Sequence, residues 1–80
     1  MPIYQEQFPK DSLVRVKDQA MLELFKKEWR YHNPLNSAQL IYAGKEGKVV
    51  GVGFYHGGDV LYTLESMPGI WHEQCLELPT

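Results

Sequence analysis

Gly51 and Gly53 occupy alternate positions within Lys48-Val49-Val50-Gly51-Val52-Gly53-Phe54-Tyr55, the longest strand-like run in this 80-residue chain. Valines and aromatics at period 2 read as a β-strand, with Val50, Val52 and Phe54 on one face and Val49, Gly51, Gly53 and Tyr55 on the other. Glycine at every second position strips one face of side chains. Such a strand either coils sharply or receives another backbone or an aromatic ring close against it. Strongly bent strands are what a small barrel needs.

The residues on either side extend this run into a β-meander. Ala43-Gly44-Lys45-Glu46-Gly47 reads as a tight charged turn before the strand, and His56-Gly57-Gly58-Asp59 as the hairpin turn after it, its glycines suited to positive φ. The chain returns along residues 60–65 and turns again at Ser66-Met67-Pro68-Gly69. It then passes Ile70-Trp71-His72-Glu73 to a last short apolar run.

Ahead of the meander, residues 1–11 form an extended lead-in marked by Pro2 and Pro9, with Ile3, Tyr4 and Phe8 laid on the barrel. Residues 12–17 alternate and predict a half-buried first strand. Asp18 is a good N-cap for a helix over residues 19–30, where Met21, Leu22, Leu24, Phe25 and Trp29 recur at helical spacing. Because a small chain has few other ways to shield five large apolar groups, this stripe is expected to pack over an open end of the sheet. Pro34 and its polar neighbours place a loop at residues 32–37, and residues 39–42 suit a short strand or the approach to one.

Eighty residues support a single domain, residues 1–80, which buries about 60% of the surface its unfolded chain exposes. A 44% hydrophobic composition with ten aromatics can fill that core without disulfides. The one cysteine, Cys75, has no internal partner, which points to a reducing, cytoplasmic setting. No apolar run approaches the roughly 20 residues of a membrane span, and the N-terminus carries no leader pattern, so a soluble protein is expected. All eight Lys and Arg lie at or before Lys48, giving residues 1–48 a charge of +2 against six acids. The four acids of residues 49–80 stand alone at −4. The second half is therefore poorly suited to meeting phosphates, and acidic overall charge counts against nucleic acid as partner.

A leading strand (Leu13-Val14-Arg15-Val16), a long excursion, the Ala43-Gly44-Lys45-x-Gly47-x-Val49 turn and strand, a hairpin and a closing strand together resemble the SH3-like barrel superfamily. Within it, the KOW and nitrile hydratase β-subunit type is the nearest flavour. The resemblance covers about 45 residues and implies a mainly β barrel of about five strands, here with one helix inserted after the first strand. In the KOW family the surface around the glycine turn can contact nucleic acid, a role only Lys45 and Lys48 could carry over. The superfamily also includes small subunits attached to larger enzymes, which implies an accessory-subunit role.

Three chemistries compete for the functional reading. His72-x-x-Cys75 with His56 has metal-ligand character, but a structural zinc site wants four ligands in recognisable pairs. Cys75 beside His56 or His72 would be a minimal nucleophile pair, with no evident concavity for substrate. Against both stands a simpler reading of Cys75 as a buried core group and of the histidines as hydrogen-bonding the backbone near turns. No cofactor or metal is expected. Tyrosine and tryptophan are enriched at protein contacts, and Tyr42 joins the aromatics considered, at least two of which belong in the core. The expected contact surface, acidic and aromatic, comprises Tyr55, His56, Asp59, Tyr62, Trp71, His72 and Glu73. The reading is thus a non-catalytic protein-interaction module or accessory subunit. Its rivals are a nucleic-acid-binding module using Arg15, Lys17, Lys45 and Lys48, and a small metal or thiol enzyme centred on Cys75.

Overall fold

A computed structural model describes residues 7–31, 33–55 and 59–79. Among these residues it is mainly β, with five antiparallel strands in one sheet and a single α-helix after the first strand, as the sequence predicts. The strands are β1 (Leu13–Val16), β2 (Glu46–Tyr55), β3 (Asp59–Leu64), β4 (Met67–His72) and β5 (Leu76–Glu77), in the spatial order β4-β3-β2-β1-β5. Strand β1 lies between β2 and β5, so the last two residues of the sheet pair beside the first strand. A long sheet folded on itself in this way encloses one core, consistent with a small SH3-like barrel.

The helix α1 (Gln19–Glu28) starts where the side chain of Asp18 accepts a hydrogen bond from the Met21 amide at 2.9 Å. It ends two residues earlier than its apolar spacing predicts, because Trp29 adopts an extended backbone with its N–H still bonded to the Phe25 carbonyl. Only Leu22 is fully buried; Phe25 and Trp29 are half-buried, while Met21 and Leu24 lie about half exposed. The expected five-residue stripe is therefore three residues wide. Phe25 and Trp29 pack tilted against the His72 ring at the end of β4, with centroids at 4.9 and 4.8 Å.

Residues 39–42 make no strand. Ser37–Tyr42 winds into a 3-10 helix instead, with Asn36 as its N-cap. Gln39 is buried there, its Oε1 accepting from the Asn36 amide at 3.0 Å and its Nε2 donating to the Ile70 carbonyl at 3.1 Å. One buried amide thus ties this turn to β4, which satisfies polar groups that burial would otherwise penalise. Gly44, at φ +79, reverses the chain into β2, which begins at Glu46 and takes Gly47 into the ladder opposite Val14.

Two irregularities separate the sheet from its sequence pattern. In β2 the register against β3 shifts between Val49 and Gly51, so Val50 is an extra residue, a β-bulge. Val49 pairs with buried Leu64 before the bulge, and Val52 pairs with buried Tyr62 after it. The predicted division of faces is corrected accordingly. Val49 and Val52 both turn inward, and Val50 is exposed.

The second shift lies in β4. The turn predicted at residues 66–69 is tighter than expected: it consists of Glu65 and Ser66, Ser66 taking φ +64, and Met67 already pairs with Leu64. Pro68, Gly69 and Ile70 then bulge before Trp71 rejoins Tyr62. Gly69 sits at φ +108 with the Gln39 amide against its backbone, where a Cβ would come within 2.8 Å of Nε2. The turn-forming residues do break regularity, but the break is absorbed inside a strand.

The core joins Val14 and Val16 of β1, Leu22 of α1, Val49, Val60, Tyr62, Leu64, Met67, Trp71, Cys75 and Leu76, closed by Phe8 and Leu35. Phe8 bears out the packing expected of the lead-in, lying 5.6 Å from the Tyr62 ring. Ile3, Tyr4 and the rest of residues 1–6 lie outside the described residues, as do His32 and the turn residues 56–58.

Candidate functional site

Burial divides the expected contact surface. Tyr62, Trp71 and His72 are 1%, 0% and 3% exposed, so they are interior groups and not contact residues. The reason is their register: Tyr62 and Trp71 face each other across β3 and β4 on the core side. Trp71 Nε1 donates to the Met67 carbonyl at 3.1 Å. His72 points to the opposite face but lies beneath Phe25 and Trp29, its Nε2 donating to the Asn33 carbonyl at 2.7 Å. Glu73 is half-buried and accepts from the Tyr62 hydroxyl and the Gln7 amide. Tyr55 and Asp59, paired across the mouth of the β2–β3 hairpin, remain at the surface, exposed and half-buried respectively. His56 lies outside the described residues.

Cys75 is 1% exposed, and burial pushes its thiol up to about 12, with Lys17 and a backbone bond offsetting part of the rise. A catalytic thiol needs the opposite, a depressed pKa and access. Cys75 is a core group. Among the described residues no three of His, Cys, Asp and Glu gather to hold a metal ion.

The four basic residues of the nucleic-acid reading lie on or beside the paired strands β1 and β2, and three of them have side-chain partners. Arg15 Nε bonds Glu77 at 2.9 Å, Lys48 stands 3.9 Å from Asp11, and Lys45 lies over the Tyr42 ring at 5.7 Å. No helix among the described residues is long and apolar enough to cross a membrane.

A cleft of about 600 Å³ lies among Gln7, Phe8, Lys17 and residues 76–78, and a smaller groove lies on the outer face of β2, β3 and β4. Residues directly paired across strands point to one face, so Gly51, Gly53 and Tyr55 share the outer face with Thr63, Leu61 and Asp59. A Cβ on Gly53 would meet nothing within 4 Å, and one on Gly51 would only touch Thr63. The bare backbone opens a groove of about 260 Å³ between Leu61, Thr63 and Ile70, with Phe54 at its rim. Phe54 is 47% exposed although its side chain follows the core face of β2, because the hairpin outruns the core. Sequence reading flagged the alternate glycines but not Leu61, Thr63 or Ile70. The signal for those lay in cross-strand register, which the bulges concealed. Compared with known protein families, curated proteins and solved structures, the chain matches none.

Proposed function

We propose that this chain is a non-catalytic protein-interaction module, an SH3-like barrel of the KOW and nitrile hydratase β-subunit type, serving as an accessory subunit of a larger assembly. One observation carries the reading. The glycine-floored groove on the outer face is mainly apolar, with Leu61, Thr63 and the exposed Phe54 and Ile70 in its lining. Large aromatics beside a concave apolar floor are what protein contacts use. The formal charges nearest this face in sequence, Asp59 and Glu65, are acidic, which suits a partner presenting an apolar ridge with Lys or Arg beside it.

The test is recovery of the native assembly at gentle salt by tagged wild-type chain and by Ile70→Glu, followed by mass spectrometry. One large complex, recovered repeatedly by wild type and lost with Ile70→Glu, is the expected result. Equal recovery by both forms would remove the groove from the reading.

A further inference from the structure

Helix α1 turns Leu22 into the core and leaves Met21 and Leu24 46% and 48% exposed on the adjoining stripe. Together with Lys17, Phe25, Glu28 and Gln74 they line a groove of about 220 Å³ along the helix. Half-buried Phe25 is the least exposed of its helical residues. This groove shares no residue with the glycine-floored one. Lys17 stands two residues ahead of α1 and Glu28 is its last residue, so the groove carries a cation at one end and an anion at the other. Among the described residues neither charge has an ion-pair partner.

Lys17, Met21, Leu24 and Glu28 follow one another at steps of four, three and four, the spacing at which one helix meets another along a seam. The steps read the same from either end, while the charges at the two ends are opposite. Laid antiparallel about a twofold axis between Leu22 and Glu23, Met21 of each copy stands opposite Leu24 of the other, and Lys17 opposite Glu28. Every contact then occurs twice, as a twofold interface requires. A parallel pairing would set lysine against lysine and glutamate against glutamate, so charge selects the antiparallel orientation. The seam is short, and a contact this small belongs to weak association, visible at high concentration.

We propose that a second copy of this chain docks on α1, antiparallel, with Lys17 and Met21 of each copy against Glu28 and Leu24 of the other. The pairing is independent of the reading of the glycine-floored groove and adds a second contact surface. Its test is mass in solution by sedimentation from micromolar to millimolar chain, for wild type, Lys17→Glu, Glu28→Lys and the double exchange, each checked for folding by circular dichroism. Wild type should double its apparent mass as concentration rises. Each single exchange sets like charges together at both ends of the seam and should raise the dimer's dissociation constant about tenfold. The double exchange swaps the two ends and should restore wild-type association. Glu28→Lys also takes the formal charge of the chain from −2 to 0, one negative becoming one positive, so weakening there is not the effect of overall repulsion.

Two further variants decide the matter if a charge exchange does not fold. Leu24→Glu, at an exposed position, should abolish the dimer, and Ile70→Glu, on the other groove, should leave it intact. A wild-type chain of single mass at every concentration overturns the pairing. So does a dimer that withstands both single exchanges, one that the double exchange fails to restore, or one lost with Ile70→Glu and kept with Leu24→Glu. A single-mass chain that still recovers a large complex, Ile70-dependently, refutes the pairing alone and leaves the interaction module standing.

Discussion

The Tyr62 hydroxyl donates to the Glu73 carboxylate at 2.5 Å while accepting from the backbone amides of Gln7 and Phe8, at 3.2 and 3.4 Å. A residue of β3 thus anchors the N-terminal lead-in across more than fifty positions of sequence. Tyr62→Phe keeps the buried ring but removes the partner of the Phe8 amide and takes one bond each from the Gln7 amide and the Glu73 carboxylate, which still meet each other. It should cost about 1–3 kcal/mol in denaturant unfolding and speed proteolysis near residues 7–10. An unchanged midpoint with unchanged cleavage would show that the lead-in is held by Phe8 packing alone.

Alkaline stability should be governed first by Cys75. Its folded thiol is raised from an ordinary 9.0 to about 12, so the stability linked to it is complete below pH 9. That contribution is lost as pH rises from 9 towards 12, because the unfolded chain releases the proton first. The slope is about 1.4 kcal/mol per pH unit for one such group. Tyr62 is raised in the same direction, by burial and then by Glu73, and adds its loss above pH 10. Cys75→Ala should flatten the curve between pH 9 and 10 where wild type already falls; parallel curves would refute the assignment.

Cys75→Ser, by contrast, should lower stability at neutral pH by about 1–3 kcal/mol, more than Cys75→Ala, since a hydroxyl in this apolar site is imperfectly paired. Maleimide labelling of the folded wild-type chain should be slow and should accelerate on unfolding. Fast labelling in the native state would mean an accessible thiol.

Gly69 and Gly53 should respond oppositely to alanine. At Gly69 the left-handed backbone and the crowding on Gln39 both oppose a side chain, and Gly69→Ala should cost about 2–4 kcal/mol. Gly53 has ordinary backbone and open space, so Gly53→Ala should be neutral or stabilising by up to about 1 kcal/mol. Paired thermal melts decide both.

Hydrogen exchange should be slowest at the core ladder positions Val14, Val49, Tyr62 and Leu64 and faster throughout α1, which buries only Leu22. Protection concentrated in α1 would contradict a peripheral helix.

Much of this architecture was legible where local chemistry acts alone. Asp18 announces its helix because capping is a contact between neighbours in sequence, and residues 12–17 and 48–55 read visibly as strands, although the second begins two residues earlier, at Glu46. What escaped depends on distant partners. The fate of residues 37–42 turns on Gln39 finding the Ile70 carbonyl across the fold, and the burial of Trp71 and His72 on the register of β4 and on α1 lying over it. The aromatic residues that composition marks as contact candidates are divided by the same register: Tyr62 goes inside, while Tyr55, seven positions earlier, stays outside.

Val50 gives the chain a half-step of phase. Every residue of β2 beyond it has its inward and outward sense inverted relative to the alternation begun at Val49, while β3 alternates without a break opposite it. Were Val50 taken into regular alternation instead of being bulged, the glycines would be carried to the interior, where their missing side chains leave voids, and Val52 would be turned outward. Deleting Val50 would instead leave a regular strand with the same two faces, Val49 and Val52 inward and Gly51 and Gly53 outward.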